Sequence, residues 1–483
     1  MALDLLEAVA VCLVAYWVMA LLTVPSVLLQ KEGHPVAALA WILAMFVLPP
    51  FGALAWWTAG RVYLRRRRSS RRRAREEVID ALEAVRRRTR PPEGSPTSLL
   101  DARKLPPEFL DSISAPSAGN CVRLLPGTHD AYAAWEEAIR GARHHVHFLF
   151  YAWGNDATGR RFRDLLADAA SRGVEVRCLF DAVGSPSIND AFLAPLRLAG
   201  AIAHSFLPVR VFSLRPVVNF RNHRKILVVD GRSAFTGGIN IGEEYLGWND
   251  LAVEIRGPEV DRLQEVFAED WYFTTREELA RADYFGQWIT CDRPQGTQWA
   301  QQAFCATISS GPEQELNATR EMLFLAFTNA RKRIWIMTPY FVPYQSIQAA
   351  LRSAVYRGVD VQLLVPQRND VGLVQRASRS FFPGLLHGGV RIFEYVPCML
   401  HAKAVILDDD LFFVGSANMD TRSFKLNFEA SCFIECKALN AKGADLYQSF
   451  RNDSRELTRN DLRHRPYFSR VADAAVHLLS PLL

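Results

Sequence analysis

The chain has 483 residues, enough for two or three domains, with 49% hydrophobic residues, 22% charged residues and a formal net charge of +6. This composition is that of a folded protein with additional apolar segments, and it excludes an intrinsically disordered chain. The eight cysteines contain no C-x-x-C pair and show no paired framework, which argues against a zinc or thiol redox site and is consistent with a reducing compartment.

Two apolar segments open the chain. Residues 5–29 are almost uncharged after Glu7, and residues 36–59 carry no charge. Each segment is long enough to cross a hydrocarbon core of about 30 Å as a helix, so we predict two transmembrane helices within residues 1–60. A cleaved signal peptide is the alternative for the first segment. It is disfavoured because no basic stretch precedes the apolar run and a second apolar segment follows.

A run of nine arginines between residues 61 and 75 follows the second apolar segment directly, whereas the loop between the segments offers only Lys31 and His34. By the positive-inside rule, this asymmetry predicts that the N-terminus and everything after residue 61 are cytoplasmic. Arginines beside a membrane attract anionic lipid, at about 1 kcal/mol each near the surface. We therefore expect an anionic lipid membrane as a partner and no nucleic acid, although binding of the arginine run to nucleic acid is the weaker alternative.

A linker rich in Pro and Ser separates the arginine run from the globular part. Asp130 is the expected N-cap of the first amphipathic helix after this linker. A strand at residues 146–151, a helix at 159–171 and a strand at 174–180 follow. This order predicts a β-α-β unit, whose strands are parallel.

The same order returns later in the chain. A helix at residues 320–330, a strand at 334–340, a helix at 346–356 and a strand at 359–365 repeat the first set, and RGVEVRCLF is echoed by RGVDVQLLV. We therefore predict an internal duplication. The predicted domains are two transmembrane helices (1–60), a basic juxtamembrane segment and linker (61–118), a first half (119–290), a connector (291–303) and a second half (304–483).

The duplication repeats one polar motif, H-x-K-x4-D. The first copy reads HRKILVVD and the second HAKAVILD, and in both an Asn stands 17 residues after the His. The chain has eight lysines among 57 basic residues, yet both motif positions hold lysine. Two strands that carry polar residues by coincidence are the alternative, and repetition of the full pattern argues against it. The candidate catalytic residues are His223, Lys225, Asp230, His401, Lys403 and Asp408, and the candidate phosphate-binding residues are Asn240 and Asn418.

The residue types of the doubled motif suit phosphodiester chemistry. His and Lys stand two apart in each motif strand and face the same side, so two copies that meet across a pseudo-two-fold axis form one pocket. Ammonium and carboxamide groups donate to phosphate oxygens as charge develops on them. One neutral His can attack phosphorus while the other, protonated, donates to the leaving oxygen. Gly237 and Gly238, with Gly415 and Ser416 in the second copy, are expected to let the backbone approach the phosphate.

Two acidic residues stand at similar distances after the motif histidines. Asp250 lies 27 residues after His223, and Glu429 lies 28 residues after His401. We expect both carboxylates to accept a hydrogen bond from the far ring nitrogen and so orient the imidazoles. The two motif aspartates begin turns, which indicates a structural contribution.

We expect neither a metal nor a cofactor at this pocket, because its lysines and asparagines already provide positive charge and hydrogen-bond donors. His144, His145 and His147 are the nearest resemblance to a metal cluster in the sequence. They lack Cys or carboxylate partners nearby, so the start of an ordinary strand is the favoured interpretation.

These motifs resemble the phospholipase D superfamily, whose paired H-K-D motifs correspond to HRKILVVD and HAKAVILD, and the resemblance covers essentially the whole globular part. The apolar segments, the stretch LGWNDLAVEIRGPEV and the ending SPLL are similar to bacterial cardiolipin synthases. The resemblance implies an α/β fold in which two N-terminal transmembrane helices precede a duplicated phospholipase D-like domain with pseudo-two-fold symmetry. It also implies a multi-pass protein of the bacterial inner membrane with a cytoplasmic catalytic domain.

The activity implied by the resemblance is phosphatidyl transfer between two phosphatidylglycerol molecules, which gives cardiolipin and glycerol through a phosphohistidine. The superfamily uses the first motif histidine as nucleophile, which implies this role for His223 and an acid/base role for His401. The sequence itself is nearly symmetric and leaves this choice open, as it leaves the oligomeric state open.

Three alternatives remain at the level of sequence. A phospholipase D-type hydrolase or a nuclease of the same superfamily differs only in using water as acceptor, and the apolar segments favour lipid over nucleic acid. A membrane scaffold without activity is disfavoured by the complete second motif. The C-terminal stretch VADAAVHLLSPLL is apolar enough to lie at a membrane interface, although packing on the second half is the favoured interpretation.

Overall fold

The computed structural model describes residues 2–31, 35–48, 51–60, 113, 116–208, 220–288, 298–314 and 317–478. These residues divide into two compact units. A small N-terminal unit holds the described residues up to 60, and a large unit holds those from 113 onward. The arginine run and most of the predicted linker lie outside the described residues.

The N-terminal unit consists of α1 (Ala2–Gln30), α2 (Pro35–Val47) and α3 (Phe51–Ala55), followed by a π-helical turn at Trp56–Gly60. The indole N–H of Trp57 donates to Thr23 Oγ1 at 3.1 Å, which fastens the end of this unit to α1. Within the described residues, no helix reaches the combination of length and apolar content that crossing a bilayer requires.

The large unit is built on one sheet, which in the described residues has the order β16-β12-β11-β10-β13-β14-β15-β9-β1-β8-β7-β6-β2-β3-β4, with β5 beside β15. The strands are β1 (Ser117–Pro126), β2 (His145–Phe150), β3 (Glu175–Asp181), β4 (Ile202–Phe206), β5 (Arg221–Asn222), β6 (Lys225–Val229), β7 (Ser233–Gly237), β8 (Leu251–Arg256), β9 (Trp299–Ser310), β10 (Arg333–Met337), β11 (Asp360–Pro366), β12 (Arg391–Tyr395), β13 (Ala404–Leu407), β14 (Leu411–Gly415), β15 (Asn427–Glu435) and β16 (Ser454–Leu457).

The strand order shows the duplication. From the central antiparallel pair β1 and β9, the sheet continues as β8-β7-β6-β2-β3-β4 on one side and β15-β14-β13-β10-β11-β12 on the other. Strands β2, β3 and β4 are parallel, as are β10, β11 and β12, and the motif strand, β6 or β13, pairs antiparallel with the first of each set. Strand β16 adds an antiparallel edge beside β12. The large unit is therefore a duplicated α/β domain, as predicted. Its first strands begin at Ser117 and Trp299, ahead of the predicted starts of the two halves at 119 and 304.

The halves share a hydrophobic core. One buried apolar cluster combines Ile226 and Val253 of the first half with Val414 and Ile434 of the second. Two further clusters belong mainly to one half each. A shared core fixes one half against the other and therefore fixes the relative position of the two motif strands.

The helices of the large unit are α4 (Thr128–Arg140), α5 (Ala157–Ser171), α6 (Asp190–Leu198), α7 (Glu259–Thr275), α8 (Ala318–Asn329), α9 (Gln345–Tyr356), α10 (Gly372–His387), α11 (Thr421–Lys425), α12 (Lys437–Asn452), α13 (Arg459–Arg463) and α14 (Tyr467–His477).

The predicted helices and strands of the large unit agree with the structure to within a few residues, with one wrong cap. Helix α4 begins at Thr128 after Gly127, so Asp130 is not its N-cap. Asp130 lies in the first turn instead, where a carboxylate favours the positive end of the helix dipole. His145 and His147 lie inside β2 and are buried, in agreement with the ordinary-strand interpretation.

One cysteine departs from the expectation of free thiols. Cys121 on β1 is disulfide-bonded. Disulfides are rare in a reducing cytosol, so this bond does not support the reducing compartment inferred from cysteine spacing. The free thiols in the described part of the chain are Cys178, Cys305, Cys398, Cys432 and Cys436.

Candidate active site

The two motif histidines are held by the backbone of the opposite half. The backbone N–H of His223 donates to the carbonyl of Phe428 at 2.9 Å, and that of His401 donates to the carbonyl of Asn249 at 2.7 Å. The first contact continues the pairing of β5 with β15, and the second accompanies an isolated bridge between Asn249 and Leu400. Each histidine is therefore positioned by the backbone of the other half.

The carboxylates that orient the imidazoles are also exchanged between halves. Nδ1 of His223 lies 3.0 Å from Oε2 of Glu429, and Nδ1 of His401 lies 2.6 Å from Oδ2 of Asp250. Each histidine thus pairs with the acidic residue that follows the other motif. Because Nδ1 is engaged, Nε2 is the nitrogen that the His223 ring can use for chemistry. Nε2 of His401 lies 3.1 Å from Nζ of Lys403. Neither half alone contains a complete histidine–carboxylate pair.

The motif lysines lie beneath the histidines and are 1% exposed. Nζ of Lys225 donates to the carbonyl of His223 at 2.6 Å and lies 5.2 Å from the centre of the Tyr151 ring. Nζ of Lys403 donates to the carbonyl of His401 and lies 4.0 Å from Oδ2 of Asp250. Both lysine side chains are therefore buried beside the motif histidines, and burial lowers the pKa of Lys225 well below its ordinary value.

Burial sets the protonation of the site. It lowers the pKa of His223 to about 4, although the nearby Glu429 acts in the opposite direction. Burial lowers the pKa of His401 and the pKa of Lys403 as well, the latter to about 8. Burial alone would raise the pKa of the carboxyl of Glu429, but the charge and hydrogen bond of His223 lower it. The resting site therefore holds a neutral His223 imidazole beside an ionised Glu429 carboxylate.

The two asparagines predicted to bind phosphate are each 4% exposed. Oδ1 of Asn240 accepts a hydrogen bond from the backbone N–H of Ala152 at 3.3 Å. Oδ1 of Asn418 is buried without a hydrogen-bond partner among the described residues.

The small residues that follow each motif strand lie beside the carboxylates that pair with the histidines. A Cβ at Gly238 would lie 2.2 Å from Oδ1 of Asp250, so only glycine leaves room for that carboxylate. In the second half, Ser416 donates its hydroxyl to Oε2 of Glu429 at 2.5 Å. The close approach seen at Gly238 is thus to Asp250, whereas the sequence predicted an approach to the phosphate.

Two of the predicted site residues are not brought to the pocket. The Asp230 carboxylate accepts from the backbone N–H groups of Arg143, His144 and His145, at 2.8–3.2 Å. The Asp408 carboxylate makes the equivalent contacts, at 2.7–3.1 Å, to residues 331–333. Both aspartates follow the motif strands, at the end away from the histidines. Each aspartate fastens the turn after its motif strand to the start of the strand that pairs with it, β2 or β10.

Comparison with known proteins agrees with this geometry. A family model described as "Cardiolipin synthase, PLD-like domain" matches residues 136–271 and 323–451, and one described as "Phospholipase_D-nuclease N-terminal" matches residues 15–61. The cardiolipin synthase of Geobacillus thermodenitrificans is 35% identical over 467 residues, covering 94% of this chain and 90% of that protein. The chain belongs to the cardiolipin synthase family. The enzyme is accordingly a phosphatidyltransferase of the phospholipase D superfamily.

Further cardiolipin synthases and one solved structure extend the comparison. The cardiolipin synthase of Halalkalibacterium halodurans is 32% identical over 473 residues, covering 95% of this chain and 91% of that protein. The crystal structure of phosphatidylserine synthase from Haemophilus influenzae superposes with a TM-score of 0.58 over 75% of this chain and 95% of that one, at 15% identity. This likeness supports the duplicated fold.

Three aromatic side chains at the cardiolipin synthase site were missed by sequence reasoning. The Tyr151 ring centre lies 4.8 Å from that of His223, and the Trp248 and Tyr340 ring centres lie 5.0 and 6.2 Å from that of His401. Tyr151 directly follows β2 and Tyr340 comes shortly after β10, the strands that pair with the motif strands. The ends of these two strands are therefore where such residues could have been sought.

Proposed function

We propose that this enzyme joins two phosphatidylglycerol molecules into cardiolipin and glycerol through a phosphohistidine on His223. The observation that carries the proposal is the pair of histidines, each oriented at Nδ1 by a carboxylate from the opposite half. Such a pair supplies one nucleophile and one acid/base in a single pocket. The cardiolipin synthases among its relatives and the matched family model support cardiolipin as the product.

In the first step, Nε2 of neutral His223 attacks the phosphorus of one phosphatidylglycerol. The P–N bond forms as the P–O bond to glycerol breaks, and His401 gives its proton to the leaving glycerol oxygen. Lys225, Lys403 and the two site asparagines donate to the phosphate oxygens, where negative charge develops. These groups supply the positive charge that the step needs, so the proposal includes no metal ion.

In the second step, a glycerol hydroxyl of another phosphatidylglycerol attacks the phosphohistidine. His401, now neutral, takes the hydroxyl proton, the P–N bond breaks and cardiolipin forms with His223 restored. The same group serves as acid and then as base, as microscopic reversibility requires.

The electrostatics favour His223 as the nucleophile. Its pKa of about 4 keeps Nε2 unprotonated at neutral pH. The contact of His401 with Asp250, at 2.6 Å, is shorter than that of His223 with Glu429, at 3.0 Å. Short charge-assisted hydrogen bonds favour the charged partner, so the imidazolium of the acid step belongs on His401.

The experiment is to incubate the full chain with phosphatidylglycerol labelled separately in its acyl chains and its headgroup glycerol. The proposal predicts cardiolipin and free glycerol in a one-to-one ratio. Phosphatidic acid in place of cardiolipin would show that water is the acceptor, and would assign the enzyme to hydrolysis.

We further propose that the N-terminal unit anchors the enzyme in the bacterial inner membrane, with both apolar segments crossing it and the catalytic unit in the cytoplasm. The apolar segments, the nine arginines after them and the matched N-terminal family model support this arrangement. The disulfide of Cys121 favours the opposite side. Protease treatment of right-side-out and inside-out vesicles distinguishes the two, because a cytoplasmic catalytic unit is cleaved only in the inside-out vesicles.

A further inference from the structure

Helix α14 places a polar residue inward and apolar residues outward. Asp473 is its one buried residue, at 5% exposure. The Asp473 carboxylate forms ion pairs with Arg376 of α10, at 3.4 Å, and with Arg465. Arg465 also donates to Ser469 Oγ at 2.8 Å. The helix is therefore fastened to the second half largely by polar contacts.

The outward side of the helix is apolar. Tyr467, Phe468, Val471 and Leu478 are 72%, 83%, 46% and 79% exposed, respectively. At 100° per residue these positions fall on one side of the helix, opposite Asp473. We call these four residues the α14 patch. Contiguous exposed apolar surface of this kind marks an interaction site more often than a plain protein surface.

The α14 patch lies close to the catalytic pocket. Val476, on the inward side of α14, packs with Tyr340 against a small apolar cluster that includes Phe381 of α10. The Tyr340 ring centre is in turn 6.2 Å from that of His401. This apolar cluster and Tyr340 thus connect the inward side of α14 to the second histidine. The start of α10 adds further exposed apolar surface, since Leu373 is 43% exposed.

We propose that the α14 patch docks on the surface of a phospholipid bilayer, with its side chains at the boundary between headgroups and acyl chains. An amphipathic helix with aromatic residues on its apolar face is suited to this boundary. Arg463 and Arg470 are exposed on the same segment and complement anionic headgroups. The same arginines would repel each other across a contact between two copies of the chain. Docking here brings the His401 side of the pocket to the leaflet that holds the lipid substrate.

This inference rests on the proposed function only for the identity of the lipid, and its test separates the two. The full-length variants Phe468→Asp and Val471→Asp are compared with Leu198→Asp, a matched control at a leucine that is 89% exposed on α6. Activity is measured on phosphatidylglycerol in vesicles and on a short-chain phosphatidylglycerol below its critical micelle concentration. We expect kcat/KM on vesicles to fall at least about tenfold in the two patch variants, because a charge replaces an apolar side chain that inserts into the bilayer on docking. Activity on the monomeric substrate stays within about twofold, and the control changes neither.

A second measurement does not depend on activity. Phe468→Trp, corrected for wild-type emission, is quenched by lipids brominated in the upper acyl chain if the patch is inserted. Absence of this quenching, or unchanged vesicle activity in both patch variants, would overturn the proposal. A Val471→Asp variant that halves the mass of the detergent-solubilised protein would show that a second copy covers the patch instead. The wild-type enzyme could act on vesicle lipid without making cardiolipin, and the patch variants could still lose that activity. In that case the proposed function would fail and the docking surface would stand.

Discussion

Glu429→Gln tests the exchange of carboxylates between the two halves. Glu429 is fully buried and accepts from three donors: His223 Nδ1 at 3.0 Å, Ser416 Oγ at 2.5 Å and Asn427 Nδ2 at 3.1 Å. Glutamine keeps the shape but removes the charge, and it places an amide N–H₂ opposite one of these donors. A charge-assisted hydrogen bond contributes about 1.5–3 kcal/mol, and each 1.36 kcal/mol is tenfold in rate. Loss of the correct His223 tautomer adds to this, so we expect kcat to fall about 10²- to 10⁴-fold.

The pH dependence of kcat/KM gives a second prediction for Glu429→Gln, with a definite direction. Burial lowers the pKa of His223 to about 4, and Glu429 opposes that shift. Without the carboxylate the pKa falls further, so the acid limb of kcat/KM, which reports protonation of His223, moves to lower pH while the rate drops. A fall in rate with an unmoved or raised acid limb would contradict the assigned contact.

An activated diester with a 4-nitrophenolate leaving group separates the two carboxylates. This leaving group needs no proton, so the defect of Asp250→Asn should shrink on it, because Asp250 serves the acid His401. The defect of Glu429→Gln should persist, because Glu429 serves the nucleophile. The reverse pattern would refute the exchanged pairing or the assigned roles, and retention of more than half of wild-type activity by Glu429→Gln would refute the argument altogether.

Further predictions follow from the same site. His223→Ala and His401→Ala should each lower cardiolipin synthesis by several orders of magnitude with unchanged thermal unfolding, and one-tenth residual activity in either would contradict the paired mechanism. Asp230→Asn should lower stability by about 1–3 kcal/mol in denaturant titration with kcat nearly unchanged, because its carboxylate binds three backbone N–H groups away from the pocket. Since burial lowers the pKa of Lys403 to about 8, kcat/KM on the 4-nitrophenyl diester, which needs no acid, should fall as pH rises through that value and the ammonium is lost; a flat profile to pH 10 would disagree. A chelator should leave activity intact, and loss that one divalent ion restores would show a metal requirement.

Much of the fold could be predicted because it follows from local pattern. The strands and helices around RGVEVRCLF and RGVDVQLLV are bounded by turn glycines and filled with alternating or continuous apolar residues, and these signals act within about ten residues. The cap of α4 was misplaced because Gly127 leads the helix, and Asp130 is a first-turn acid that resembles a cap in sequence.

The candidate site was predicted as a set of residues but not as an arrangement. Spacing identified His223 and His401 with Asp250 and Glu429, since the duplication repeats the distances. Which carboxylate meets which histidine depends on β5 pairing with β15 and on the bridge from Asn249 to Leu400, contacts between residues far apart in the chain. The aromatic residues beside the histidines come from strand ends that only the sheet order places there.

The most direct test of the central claim is to trap the intermediate in His401→Ala. With the 4-nitrophenyl diester, attack by His223 needs no acid, but transfer to an acceptor lacks its base. The account predicts a burst of one nitrophenolate per enzyme and a phosphoryl adduct that peptide mass spectrometry places on His223, absent in His223→Ala. No burst, or an adduct on another residue, would contradict it.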